Sequence, residues 1–143
     1  MAYCTQSDML EQISQDEVIQ LTDDAGSGAI DADVVTRAIA DADGEIDAYC
    51  GKRYAVPFST VPAIIRKLSV DMAIYNLFAR REGAPDDRSK RYDSAIRLLR
   101  DVGKGAVSLG ADDPDGTPPE TNAPQMSTEN PARIFSRSKM TGF

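Results

Sequence analysis

The sequence predicts a mainly α fold: a small helical bundle with an extended loop and a long, extended C-terminal arm. Apolar residues recur at steps of three and four through three long segments, which is the spacing of one helix face. Side chains that cap helices precede several segments, and a proline-rich stretch follows the last one. With 143 residues, of which 41% are hydrophobic and 27% charged, the chain is long enough for one hydrophobic core.

Two short helices are predicted near the start of the chain. Thr5 and Asp8 form a cap-like pair, and Ser14 with Glu17 has the spacing of a capping box, in which each residue satisfies a backbone N–H near the other. A turn region with two glycines follows, over residues 22–30.

A longer helix is predicted over about residues 32–50, with Asp31 as its cap. We expect Gly44, in mid-helix, to let a neighbouring helix approach closely, and Gly51 to end the helix. The apolar residues that form one stripe are Val35, Ala38, Ile39, Ala42, Ile46, Tyr49 and Cys50.

Residues 52–61 lack a helical pattern. Tyr54, Val56 and Phe58 alternate with other residues, but Pro57 removes a donor, so an extended arm or edge segment is predicted. The run that follows Pro62, AIIRKLSVDMAIYNLFARRE, is apolar on several faces. It is therefore predicted to be the core helix, with part of its surface available for a subunit contact.

A last helix is predicted after the break at Gly83–Pro85. Asp86 and Asp87 favour its start, Gly103 is expected to end it, and Gly105–Leu109 could form a short strand. Its apolar stripe consists of Tyr92, Ala95, Ile96, Leu99 and Val102.

Composition divides the chain into three parts. Residues 1–110 are predicted to form the helical domain, and residues 111–132 a proline-rich linker that buries too little apolar surface to order by itself. Residues 133–143 are apolar and basic again and are predicted to be a C-terminal docking arm. The alternative for this end is a frayed terminus.

Charge is distributed unevenly along the chain. Residues 1–50 carry twelve acidic residues against one base, Arg37, whereas residues 51–110 carry twelve bases against six acids. If the two regions lie on different faces, copies can meet acidic face to basic face, and such heterologous contacts can close into a ring. The alternative is that the two regions neutralise each other within one subunit.

Several function classes lose support. Histidine, the commonest general base and metal ligand, is absent, so we expect no enzyme and no cofactor. Cys4 and Cys50 match no zinc or disulfide framework and are expected to be reduced thiols. No apolar run approaches the roughly 18 residues of a membrane span, and the start does not have a signal-peptide pattern. We therefore expect no membrane partner.

One segment, Asp41–Asp47, resembles part of a calcium-binding loop. Placing Gly44 at the sixth position puts Ile39 first and Cys50 twelfth, so two essential oxygen ligands are missing. Asp23–Val34 fails in the same way. A helical segment is the preferred interpretation, and no metal site is predicted.

The predicted second and third long helices carry a run of bases. Binding of nucleic acid is one interpretation. A solvated face, or a face that pairs with the acidic half of another copy, is preferred because the net charge is −7. The bases are Arg80, Arg81, Arg88, Lys90, Arg91, Arg97 and Arg100.

Five segments together carry a resemblance to a known family. They are MAYCTQSDMLEQI, DAYCGKRYAVPF, VPAIIRKLSVDMAIYNLFARRE, RYDSAIRLLRDVGKGAVSLG and RIFSRSKMTGF. In this order they resemble the head–tail connector, or head-completion adaptor, proteins of Mu-like phages and prophages. The resemblance covers most of the chain but not residues 111–131, and none of the segments is a catalytic motif.

The resemblance implies a homo-oligomeric ring of about twelve helical subunits in the virion neck. It implies contacts to the portal protein on one side and to the next connector or tail-terminator protein on the other, assembly in the host cytoplasm, and a channel that DNA passes without specific recognition. The acidic half could line that channel. Loop and arm residues expected at interfaces are Lys52, Arg53, Tyr54, Phe58, Arg133, Ile134, Phe135, Arg137 and Phe143, joined by the bases Arg80, Arg81 and Arg91.

The sequence therefore predicts a structural virion protein without enzymatic activity. The alternative is a small calcium- or nucleic-acid-binding regulatory module. A histidine-free hydrolase has the least support, because nothing singles out any pair of carboxylates.

Overall fold

The computed structural model describes residues 1–81 and 83–110. It contains five helices and no strand in that part of the chain. They are α1 (Gln6–Leu10), α2 (Gln15–Thr22), α3 (Ala32–Cys50), α4 (Ala63–Arg81) and α5 (Asp86–Lys104). The predicted helical class is confirmed, whereas the predicted linker and C-terminal arm lie outside the described residues.

Local side chains start the first three helices as the sequence predicted. Thr5 and Asp8 form a reciprocal capping box at α1, and Ser14 and Glu17 form another at α2. The Asp31 side chain accepts the backbone N–H groups of two first-turn residues of α3. Each cap satisfies N–H groups that have no partner within the helix, so the helix starts are determined locally.

The core is built from the three long helices, each of which packs against the other two, with α1 and α2 packing on α4. Helix α4 is the central element. Its buried positions include the polar residues Ser69 and Asp71 as well as the apolar Ile65, Leu68, Met72, Ile74 and Leu77. Because it contacts neighbours on several sides, its broad apolar surface is buried, as the prediction of a core helix required.

Helix α5 ends two residues later than predicted. Gly105, with a φ of 79°, adopts the left-handed conformation that closes the helix, and its N–H donates to the carbonyl of Val102. Gly103 has a different role, because a Cβ there would lie 2.6 Å from the carbonyl oxygen of Tyr49 in α3. The close approach of α3 and α5 therefore depends on Gly103.

The chain after α5 does not form the short strand suggested for Gly105–Leu109. Instead of pairing with another strand, the Leu109 backbone N–H donates to the hydroxyl of Tyr54 at 3.0 Å. A side-chain oxygen thus replaces a backbone partner, and this segment is held against the loop between α3 and α4.

The loop over residues 52–61 is non-helical, as predicted, but it is neither an extended arm nor an edge strand. The Tyr54 and Phe58 side chains are only 4% and 5% exposed. Their rings pack at a centroid distance of 6.0 Å, and the Phe58 ring also packs on Tyr3 at 5.6 Å. Burial of these aromatic rings folds the loop back onto its own subunit.

Candidate subunit interface

A buried polar network holds the N-terminal residues against α3. The Tyr3 backbone N–H donates to Asp43 Oδ2 at 2.9 Å, and the Ser69 hydroxyl of α4 donates to Asp43 Oδ1 at 2.7 Å. Burial raises the pKa of Asp43 above its ordinary value, although both hydrogen bonds oppose that shift. The network holds residues 1–6 beside α3, and this segment is called the N-terminal wall below.

The Tyr3 hydroxyl connects that wall to the loop after α3. It donates to Asp47 Oδ1 and accepts the Phe58 backbone N–H at 3.1 Å. Burial, together with the hydrogen bond to Asp47, raises the pKa of the Tyr3 phenol. With Tyr54 bonded to Leu109, the start of the chain, the 52–61 loop and the end of the described chain meet at one end of the bundle.

A groove of 590 Å³ runs between this N-terminal wall and α3. A row of small residues at a spacing of four, Ala32, Thr36, Ala40 and Gly44, forms part of α3's contribution, and Pro57 lies at one end. A Cβ at Gly44 would meet no atom within 4 Å. The predicted role of Gly44 in close helix approach is therefore corrected: no described helix approaches this position, and the space is open.

Two of the predicted interface bases form ion pairs within their own subunit. Arg80 and Arg81 both pair with Asp24, which precedes α3. They also donate to the carbonyl oxygens of Leu21 and Asp23, at 3.1 and 2.8 Å. These contacts hold the end of α4 to the α2–α3 turn and lower the pKa of Asp24. For this pair of bases, the acidic and basic regions neutralise each other within one subunit.

Other bases line a recess of 270 Å³ between α4 and α5. Lys67, Lys90 and Arg91 are exposed there. Within the recess, Asp71 is buried and lies 3.5 Å from the Lys67 ammonium and 3.6 Å from the Arg91 guanidinium. Ile64, 37% exposed, lies at the same place, so the recess combines positive charge with exposed apolar surface.

The predicted interface residues of the 52–61 loop divide into two kinds. Lys52 is exposed, and Arg53 is half-buried beside Gly105. Tyr54 and Phe58 pack in the core of their own subunit and support the loop, and their place at an interface stays a prediction. The C-terminal interface residues, Arg133, Ile134, Phe135, Arg137 and Phe143, lie outside the described residues.

The calcium-like segment is part of the continuous helix α3. Asp43 and Asp47 accept hydrogen bonds from Tyr3 and Ser69, and Asp41 is exposed. Over residues 1–81 and 83–110, no three His, Cys, Asp or Glu side chains are placed to hold a metal ion.

Sequence reasoning missed the groove beside α3 and the recess between α4 and α5. The groove beside α3 has one sequence signal, the small residues at a spacing of four, which sets a helix face without large side chains. The recess has no such signal, because it depends on how α4 and α5 pack together. None of the helices in the described ranges is long and apolar enough to cross a bilayer.

Over its described residues, the fold defines a small all-helical protein whose concave surfaces include the groove beside α3 and the recess between α4 and α5. Residues 3–128 match the family model described as Bacteriophage Mu, Gp36, and the chain belongs to this family. The chain is 35% identical over 115 residues to the Mu-like prophage FluMu protein gp36 of Haemophilus influenzae, a match that covers 80% of this chain and 79% of the relative. It is 27% identical over 146 residues to gene product J of Escherichia phage Mu, with 100% and 99% covered. The resemblance to proteins of Mu-like phages is thus confirmed.

Proposed function

We propose that this chain is a structural subunit of the phage head–tail connector. In this proposal, copies form a homo-oligomeric ring in the virion neck that joins the portal protein to the next connector or tail-terminator protein. DNA passes through the ring without specific recognition, and the chain performs no catalysis. Membership of the Mu Gp36 family supports a role in a Mu-like phage, and the connector role rests on the surface described below.

The observation that carries the proposal is a pair of opposite surfaces. Because α3, α4 and α5 each pack against the other two, the recess between α4 and α5 opens away from α3. The recess carries Lys67, Lys90 and Arg91 around one acid, Asp71, whereas the exposed side of α3 carries two acids, Asp33 and Asp41, and one base. Surfaces of opposite charge on opposite sides favour a head-to-tail contact between identical subunits, and such contacts form a ring when the rotation between subunits closes.

The first experiment measures assembly of the full chain, alone and mixed with the portal protein, by native mass spectrometry. A closed oligomer is expected, either alone or on the portal. Charge reversal in the recess, Lys90→Glu, should weaken this assembly, and high salt should have the same effect because it screens exposed charges. The matched control is Arg100→Glu, which makes the same charge change at an exposed position of α5 on the side away from the recess.

A chain that stays monomeric with and without the portal protein would contradict the proposal. Equal assembly of both charge variants and the unmodified chain, at low and at high salt, would refute the charge-pairing contact. The alternative regulatory module is tested with the same material. Calcium titration should show no binding, because no three His, Cys, Asp or Glu side chains of the described residues are placed to hold a metal ion. A DNA mobility-shift assay at low salt should show none either, since the chain has a net charge of −7.

A further inference from the structure

The groove beside α3 is an apolar surface with acidic residues in and near it. Ala32 and Ala40 are exposed in its lining, and the largely buried Val35 and Ile39 lie beside them. Asp43 and Asp47 belong to the same lining. Asp31 and Asp33, at the start of α3, are exposed close by along the helix. An occupant that complements this surface has large apolar side chains flanked by basic ones.

One segment of this chain has that composition. In Arg133–Ile134–Phe135–Ser136–Arg137, two large apolar residues are flanked by an arginine on each side. No acidic residue follows Glu129, so every charged side chain after it is basic. A groove of 590 Å³ lies within the range of roughly 300–1,000 Å³ that holds compact ligands, so it can accept more than one large side chain.

The position and length of the intervening chain allow this contact between subunits. The described chain ends beside Tyr54 and Phe58, near the Pro57 end of the groove. Residues 111–132 can span up to about 70 Å at roughly 3.3 Å per residue. The 19 residues of α3 are only about 28 Å long at 1.5 Å per residue, so a linker of 22 residues has enough length to reach a neighbouring subunit.

We propose that the C-terminal segment 133–143 of one subunit docks in the α3 groove of a neighbouring subunit, with Ile134 and Phe135 in the groove and Arg133 and Arg137 near its acidic residues. The inference rests on the proposed ring and names the segment that links adjacent copies. In this inference, the row of small residues on α3 leaves space in which apolar side chains of another chain can pack.

Cysteine cross-linking of full-length chains tests this contact. Chains with Thr36→Cys, in the groove, are mixed and assembled with chains carrying Ser136→Cys, then oxidised at pH 8. The native thiols are buried with pKa values raised to about 11, so the introduced cysteines react first. A disulfide between residues 36 and 136 of different chains, identified by peptide mass spectrometry, is expected.

The matched control places the groove cysteine elsewhere on α3. Ala48 is exposed but outside the groove lining, so Ala48→Cys should cross-link far less to Ser136→Cys. Filling the groove with Gly44→Leu, or removing the anchor with Phe135→Ala, should reduce the 36–136 yield roughly tenfold or more, as expected when a buried aromatic contact is lost. Gly44→Ala should keep most of the yield.

Three outcomes would overturn the inference. They are equal cross-linking to positions 36 and 48, a 36–136 disulfide that forms only within one chain of the double variant, and a yield that neither Gly44→Leu nor Phe135→Ala reduces. The mass of the assembly, measured on the same samples, separates this inference from the proposed function. A closed ring without the 36–136 contact refutes the docking alone, whereas the absence of any ring refutes the connector role.

Discussion

The Tyr3 hydroxyl accepts a hydrogen bond from the Phe58 backbone N–H at 3.1 Å, although 55 residues separate them in the sequence. The same hydroxyl donates to Asp47, and both rings are nearly fully buried. One phenol therefore joins the N-terminal residues, α3 and the loop that follows it. This junction positions one wall of the groove and the Pro57 end of its lining.

Removing that hydroxyl should destabilise the fold. Tyr3→Phe keeps the ring packing but leaves a buried Phe58 N–H without its acceptor, which costs roughly 1–3 kcal/mol. Urea denaturation followed by circular dichroism measures the free energy of unfolding. The control is Tyr54→Phe, whose hydroxyl accepts the half-buried Leu109 N–H near the end of the described chain and should matter less. An equal decrease in the free energy of unfolding for both variants would show that the Tyr3 hydroxyl stabilises the fold no more than the Tyr54 hydroxyl does.

The same substitution should have opposite effects at two helical glycines. Gly44→Ala should raise the free energy of unfolding by up to about 1 kcal/mol, because the new Cβ meets open space and alanine favours the helix. Gly103→Ala should lower it by about 1–3 kcal/mol, since its Cβ would lie 2.6 Å from the Tyr49 carbonyl oxygen and force α3 and α5 apart. Thermal melts of both variants show whether each substitution raises or lowers stability. A destabilising Gly44→Ala would mean that the space at Gly44 is occupied.

Two aspartates should change the pH dependence of stability in opposite directions. Burial raises the Asp43 pKa above 3.8 in the folded chain. Its contribution to stability is therefore fully present below the ordinary pKa and is lost as pH rises through the raised value. Relative to Asp43→Asn, the unmodified chain should lose stability as pH rises over that window.

Asp24 should show the opposite dependence. Arg80 and Arg81 lower its pKa below 3.8, so its contribution is present above the ordinary pKa and is lost as pH falls through the lowered value. Relative to Asp24→Asn, the unmodified chain should lose stability on acidification, to a small extent because the pair is exposed. Urea denaturation from pH 3 to pH 7 measures both differences, and slopes of the same sign would contradict the assignment.

The two native thiols should react slowly while the chain is folded. Cys4 and Cys50 are buried, are not joined in a disulfide, and have pKa values raised to about 11 mainly by burial. At pH 8, a thiol reagent such as Ellman's reagent should label neither until urea unfolds the chain, because only the thiolate is an efficient nucleophile. Rapid labelling of folded chain would show that the N-terminal wall opens readily. Cys4 should then react before Cys50, which lies on α3 itself.

Sequence reasoning succeeded where the signal is local. The capping boxes at Thr5–Asp8 and Ser14–Glu17 and the cap at Asp31 lie within three residues of the groups that they satisfy, so the helix starts can be predicted from spacing alone. The long apolar run of α4 marked the core helix for the same reason, since helical periodicity is a property of neighbouring residues. The resemblance to Mu-like phage proteins likewise rested on the order of short segments.

Sequence reasoning was insufficient where contacts between segments distant in the sequence determine the conformation of a loop or the partner of a charged residue. The alternation around Pro57 suggested an extended arm, but Tyr54 and Phe58 turn inward because Tyr3 and Leu109 give them partners. For Arg80 and Arg81 the sequence left pairing within the subunit and pairing with another copy both open, and the structure adds that Asp24 pairs with both within the subunit. The number of charged residues in each region cannot distinguish ion pairs within a subunit from ion pairs between subunits, because both arrangements have the same net charge.

By itself, the sequence determined the helical class, the helix starts, the core helix and the family resemblance, because caps and periodicity act over a few residues. Only the tertiary structure decided which glycine faces open space and which one meets a carbonyl oxygen, and which bases are already paired. It alone also placed the apolar groove and the basic recess. The physical reason is that a concave surface or an ion pair belongs to two or more elements, and their relative position depends on how the whole core packs.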